Sequence, residues 1–414
     1  MCRGWFFLAC FKRSQQSKSM NSHLNRNVYL LNVLGFLNNA MFIVPIVVLY
    51  LEAQKGVGFT GFLIGESLFS LVMIFMEIPS GYLSDVWRRK QVLAIAMVWK
   101  TIGLCVLFFG SGFAMVLFAQ CLIGIGASLN SGTNSALLYD TLLSQGREKL
   151  FSKLNGRRLM FGMIGSSSTA LVGGYLYTLH PEFPVLISIV SLMLAVLICV
   201  FMVEPERHKE TVQKNPFADM LSVMKYTLHG HKELACLIAF ITSIFVTCNL
   251  MLWVQQRYWI ESGISEIWFG VLMAIGVGFN AVGAFFAHKL EERLRFIHIV
   301  SLMAALPFIF YGLSIVLPYS AGIYTLMLGG FAWGIGQPLM DSAINHRVGS
   351  SRRATVLSVK SLVHRFAFIP LTLLAGPLAD MYNAKVAMTG LLILMVLGVF
   401  FSVLCMRHHH MLKT

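Results

Sequence analysis

Apolar runs of similar length follow one another along this chain, separated by short polar breaks. A bilayer core about 30 Å thick needs roughly 20 apolar residues per helical crossing. Twelve runs meet that need, near 28–51, 60–80, 91–110, 113–136, 158–179, 184–203, 234–256, 267–287, 296–317, 321–343, 355–376 and 386–406. Several hold Gly or Pro, which membrane helices tolerate. The alternation and turn residues of a β-barrel are missing. The pattern predicts an all-α membrane protein of twelve transmembrane helices. One long polar stretch, 204–233, has six runs before it and six after, which is the hydropathy signature of two repeated halves. The chain therefore divides into a tail (1–27), a six-helix bundle (28–203), a linker (204–233), a second six-helix bundle (234–406) and a short tail (407–414). Gly124-Ile125-Gly126 and Gly334-Ile335-Gly336 echo each other in the fourth and tenth spans.

Composition agrees with that picture. Hydrophobic residues make up 57% and charged residues 12%, where a soluble domain carries about a quarter charged. That excludes an ordinary soluble enzyme and a disordered chain. The formal net charge is +14, and its distribution explains it. Only Lys55, Arg257 and Lys385 fall in loops on one face. Lys100, Lys360 and Arg365 lie inside spans, and the remaining Lys and Arg are on the face that carries both termini. By the positive-inside rule that face is cytoplasmic, and its cations meet anionic lipid rather than nucleic acid.

The 8 cysteines show neither a Cys-x-x-Cys nor a Cys/His zinc spacing. They are read as reduced packing residues, and His408, His409 and His410 as a solvated tail with no metal. Trp5 to Phe11 is too short to span and lacks a cleavage site, so no signal peptide is expected. Met20 is as good a candidate start as Met1.

The loop after the second span reads Gly81-Tyr82-Leu83-Ser84-Asp85-Val86-Trp87-Arg88-Arg89-Lys90-Gln91-Val92-Leu93. Gly81 permits close helix approach, and Asp85 suits the orphan N–H groups and positive dipole end of a neighbouring helix. Arg89 and Lys90 suit the basic face. This segment resembles the signature loop of the major facilitator superfamily, Gly-x-Leu-x-Asp-x-x-Gly-Arg-Lys-x-x-Leu, with matches at Gly81, Leu83, Asp85, Arg89, Lys90 and Leu93. With twelve spans in 6+6 order, the resemblance extends over nearly the whole chain, nearest the bacterial drug and solute antiporter-like members. It implies two bundles around a central cavity, alternating access, a bacterial inner membrane and a monomer. It also implies that Asp85 latches the bundles through the start of the eleventh span. The match has departures. Val86 and Arg88 replace a basic residue and a glycine, and Gln120 stands where proton-coupled members carry Arg. Thr169-Ala170 replaces Gly-Pro ahead of Gly173-Gly174. Gly376-Pro377-Leu378-Ala379-Asp380 repeats Gly-x-Leu-x-Asp without the basic tail and is read as coincidental.

Ionisable residues within spans are costly and point to function. Glu66 lies roughly 9 Å from the outer end of its span and Arg365 roughly 15 Å from the inner end of its own. They are expected to pair. Lys360 and His364, four apart, share a face. Asp140, Asp341 and Asn38 complete the candidate pathway set, and Glu77 is placed at the inner interface. Lys100 is read as structural. Asn39, Asn249, Gln255, Asn280 and Gln337 are polar positions in cavity spans. The expected function is secondary active transport of a small organic solute, coupled to protons and directed outward, with import or uniport as alternatives. No cofactor is called for. A membrane enzyme lacks its motifs here: no His-Glu-x-x-His, nucleophile elbow or nucleotide-binding loop occurs. A sensor or scaffold would need an appended soluble domain.

Overall fold

The computed structural model describes residues 26–205, 225, 227, 230–349 and 353–411. Residues 1–19, the candidate start Met20 and most of the central linker lie outside the described residues. Secondary structure among the described residues is helical throughout. The first six long helices are α1 (Arg26–Lys55), α2 (Phe59–Val86), α3 (Arg89–Phe109), α4 (Phe113–Leu143), α5 (Phe151–Leu179) and α6 (Phe183–Phe201). The second six are α7 (Lys232–Ser262), α8 (Ile267–Arg293), α9 (Phe296–Val316), α10 (Tyr319–Arg347), α11 (Arg353–Met381) and α12 (Ala384–His408). Eleven are long and apolar enough to cross a membrane on hydropathy alone. The other, α10, is diluted by glycines that serve packing. Gly334 sits on the Asn280 carbonyl and Gly330 on that of Gly276, while Gly283 of α8 sits on Phe331 of α10. Small residues that let backbones touch are what hold helices together in lipid.

Two helices run further than hydropathy predicts. Helix α2 passes Pro79 and ends at Val86, so Glu77 lies about 13 Å from the inner end instead of at the interface. Helix α4 breaks at Ser131 and Gly132, where Gly132 has φ +77°, then resumes as Thr133–Leu143. Asp140 belongs to that second piece.

Helix α1 is also broken. Residues 26–39 are helical, Val44–Ile46 form a 3-10 turn and Val47–Lys55 resume the α-helix. Pro45 causes part of this, since it has no N–H to donate and its ring displaces the preceding turn.

The reading of the cysteines as uniformly reduced is corrected. Cys236 and Cys405, 169 positions apart, are joined as a disulfide with Cα atoms 5.8 Å apart. Helices α7 and α12 pack side by side, and sequence spacing carries no sign of that pairing. Cys105, Cys121, Cys199 and Cys248 are free thiols. In the histidine tail, His408 and His410 are exposed. Helix α12 reaches His408, and Met411 folds back to 5% exposure.

Candidate transport pathway and gates

Among the described residues, polar contacts join the two halves on the face away from the termini. There Arg257 of α7 pairs with Glu52 of α1 at 2.7 Å and with Glu261, one turn on, at 3.1 Å. Glu261 also accepts from the Tyr319 hydroxyl at 2.8 Å and the Ala384 N–H at 2.9 Å, capping the start of α12. An arginine held by two carboxylates makes a directional, charge-assisted contact. Its link to Glu52 crosses from one half to the other.

Beside it, Gln256 is fully buried at 0% exposure. Its Nε2 donates to the Val44 carbonyl at 2.9 Å and its Oε1 accepts from the Val48 N–H at 3.3 Å. Val44 and Val48 are the two groups that would bond each other in an unbroken helix. A side-chain amide from the opposite half has entered the backbone ladder of α1. Such insertion is a recognised cause of helix kinks. In lipid it also keeps both backbone groups satisfied.

At the same face, Asp380 at the end of α11 accepts from the Thr60 N–H at 2.8 Å. Thr60 lies in the first turn of α2, where N–H groups lack helical partners and the dipole favours an anion. The Gly376–Asp380 segment is therefore not coincidental. Gly376 lets α11 lie against the Thr60 backbone, and Asp380 caps the helix it reaches. Deeper along this seam, Ser67 and Thr372 share a hydrogen bond, and the Phe62 ring packs edge-on against Trp253. Gly173 and Gly174 divide their work. Gly173 sits on the Phe42 carbonyl in the α1 break, and Gly174 on the Glu266 carbonyl of the other half.

In the membrane interior the expected Glu66–Arg365 pair does not form. The Glu66 carboxylate accepts from Gln120 Nε2 at 2.8 Å, within its own half. Gln120, which stands where the related motif has Arg, thus gives Glu66 a neutral partner. Arg365 Nε is buried with no hydrogen-bond partner among the described residues. The helix register explains the correction. With Ser67 opposite Thr372 and Thr60 opposite Asp380, antiparallel α2 and α11 bring Arg365 level with about Ile74. That is roughly 12 Å from Glu66 and 5 Å from Glu77 along the axis.

Lys100 reaches a polar partner on another span. Its chain runs over Gly126 and its Nζ donates to Asn38 Oδ1 at 2.7 Å. It points into the bundle rather than toward an interface. His364 Nε2 lies 3.3 Å from the Asn249 amide nitrogen, and Lys360 forms an ion pair with Asp341. Lys360, His364 and Arg365 thus lie on one helix, and among the described residues only Lys360 of the three is in an ion pair.

On the terminal face, Asp140 is drawn into the signature loop. Arg89 Nη1 meets it at 2.6 Å, away from Glu66 and Arg365. Asp85 is 67% exposed, and Arg89 lies 3.7 Å from it. Residues 350–352, just ahead of α11, lie outside the described residues. The α3 N-terminus is capped from elsewhere: Glu204 accepts from the Arg89 N–H at 2.8 Å and the Lys90 N–H at 3.0 Å. Gly81 has open space around its α-carbon, and Leu83 accepts from the Trp87 N–H at 2.9 Å to close α2.

Sequence reasoning missed Gln256, Glu52, Arg257 and Glu261. Gln255 drew attention and Gln256 did not, although one residue of rotation decides which amide faces α1. The positive signal for Arg257 was its rarity, as one of three basic residues in the loops of its face.

Comparison with known proteins agrees with this architecture. The model of the Major Facilitator Superfamily matches residues 28–369. No curated protein sequence matches. Among solved structures, the nucleoside transporter NupG superposes with a TM-score of 0.75 at 15% identity, covering 92% of this chain and 98% of that one. A point mutant of the same transporter gives 0.78 at 13% identity, covering 92% and 99%. A bacterial homologue of the human lysosomal transporter Spinster, solved inward-facing and unoccupied, gives 0.70 at 13% identity, covering 94% and 97%. At such identities the likeness is one of fold. The family match spans most of the chain, and the protein belongs to the major facilitator superfamily.

Proposed function

We propose that this chain moves a small organic solute outward in exchange for protons, by rocking two bundles about a central site. The observation that carries the reading is the seal at one face. Gln256, Arg257 and Asp380 join the halves there through polar contacts that can break without unfolding either half. With the basic terminal face in the cytoplasm, this structure is the state closed to the outside.

Asp380 and Asp85 then form a reciprocal pair. Each ends a Gly-x-Leu-x-Asp segment, one on α11 and one on α2, and each helix starts where the other ends. Asp380 is engaged on α2 while Asp85 is exposed. We assign Asp85 the matching contact with the start of α11 in the opposite state. A side-chain cap at a helix N-terminus is worth about 0.5–2 kcal/mol, or about a two- to thirty-fold change in a two-state population. Asp380→Ala, which removes the acceptor, is expected to shift the molecule toward outside-open and Asp85→Ala toward inside-open, both with slower transport. Spin-label distances across each face read the shift. Equal populations in both variants would remove the reciprocal role.

Glu66 is assigned the proton. It lies within the membrane interior, no cation among the described residues pairs with it, and Gln120 holds its carboxylate in place. Transport into proteoliposomes across a panel of solutes, with and without an imposed pH gradient, tests the reading. Wild type should respond to the gradient and Glu66→Gln should not. A wild-type flux indifferent to pH favours uniport, and an unchanged response in Glu66→Gln assigns coupling elsewhere.

A further inference from the structure

We infer that the terminal face carries a thiolate–imidazole metal site, made by Cys236, Cys405 and His409, that takes Zn2+ when the cysteines are reduced. The two sulfurs and one His409 ring nitrogen lie within 4.8 Å of one another, close enough for one ion with bonds of about 2.0–2.3 Å.

The placement is built by the fold. Cys236 lies near the start of α7 and is 3% exposed. Cys405 lies in the last turns of the adjacent α12. Beyond it the chain makes a complete helix-ending motif. His410 adopts φ +56°, the Met411 N–H donates to the Met406 carbonyl, and the His410 N–H donates to the Arg407 carbonyl. Those two bonds around a left-handed residue are the Schellman arrangement, which usually employs glycine. A histidine in that conformation costs energy that glycine would not. The turn leaves Met411 buried and holds His409 beside the sulfurs, instead of letting a histidine tail trail into solvent.

In the disulfide state the sulfurs have no thiolate to offer. A dithiol reductant supplies two electrons and two protons, leaving two thiols here and a disulfide on itself. Zn2+ then displaces both thiol protons and accepts the His409 nitrogen. Two thiolates balance the ion's two positive charges, so the filled site is neutral and suits a buried position. The fourth tetrahedral position is left for water or an exogenous ligand. The same pair of cysteines thus gives either a cross-link between α7 and α12 or a metal clasp between them.

The test uses full-length protein purified on a tag free of histidine, reduced with a phosphine and desalted without oxygen. Co2+ titration is expected to give one ion per chain, with sulfur-to-cobalt charge-transfer absorption and the strong visible bands of a tetrahedral site, bleached by one equivalent of Zn2+. Unreduced protein should give neither. Cys236→Ser and Cys405→Ser should abolish the charge-transfer band. His409→Ala should weaken binding by more than about tenfold, since even outer-shell partners contribute that much. His408→Ala with His410→Ala should leave the spectrum intact. Equal cobalt uptake before and after reduction, or an unchanged spectrum in Cys236→Ser, would mean adventitious binding by surface histidines and overturn the site. The comparison of reduced with oxidised wild type needs no variant to fold.

Discussion

Replacing Gln256 by leucine is expected to open the face away from the termini and to slow transport severely. In the sealed state the Gln256 amide satisfies the Val44 carbonyl and the Val48 N–H together. Leucine is of similar size and can fill the space, but it can bond neither group. Each buried backbone group left unpaired costs about 1–3 kcal/mol. The sealed state therefore loses on the order of 2–6 kcal/mol, unless α1 closes its own ladder by straightening. When the seal parts, Val44 and Val48 can bond each other, so the open state loses little. At about 1.4 kcal/mol per tenfold, the population moves by more than tenfold toward open. Spin-label distances between the α1 and α7 ends at that face measure the shift. Gln256→Met, which also fills the space and cannot donate to Val44, is expected to behave like leucine. If both variants keep the wild-type distance distribution, the inserted amide is a packing detail and not a gate.

The transmembrane helices were legible because each must bury about 20 apolar residues whatever its neighbours are. Even α10, diluted by Gly329, Gly330, Gly334 and Gly336, kept enough apolar length to be read. What hydropathy could not supply was register between helices from different halves. The apolar run of α2 ends near residue 80, yet the helix carries on to Val86. That difference made Glu77 look interfacial and left Glu66 as the natural partner for Arg365. Asp380 shows the converse. Its Gly-x-Leu-x-Asp pattern was visible, but no basic tail followed it, because its face is not the basic one. The capping chemistry needs only the carboxylate and a facing helix start. Gln256 and the Cys236–Cys405 pair were invisible for one reason: both depend on which side of α7 faces which neighbour. An almost uniformly apolar helix leaves no amphipathic pattern from which to read that rotation.

Arg365→Gln is expected to abolish transport, and its coupling partner to be Glu77 rather than Glu66. A guanidinium remains charged in proteins, and placing one near the membrane centre costs about 2.5–3.5 kcal/mol even on the lenient insertion scale. Such a cost persists where the charge has work to do. In the sealed state Arg365 Nε is buried and has no hydrogen-bond partner among the described residues, which leaves donor capacity for an anionic group of the solute. Glu77, a little further along α2 in the opposite half, is the carboxylate nearest to Arg365 in the helix register. Moving the bundles changes the separation of these two charges directly, whereas Glu66 stays bonded to Gln120 of its own half. A double-mutant cycle on transport separates the partners. Glu77→Gln with Arg365→Gln should be non-additive by about 0.5–3 kcal/mol, the range for residues in contact or in one network. Glu66→Gln with Arg365→Gln should be additive within about 0.5 kcal/mol. Where transport falls too low to measure, solute-dependent thermal stabilisation serves instead. Arg365→Gln should lose it for anionic solutes and Glu66→Gln should retain it. Coupling to Glu66 in place of Glu77 would mean that α2 and α11 slide by more than two turns between states, and the register read from Ser67–Thr372 would not describe the working cycle.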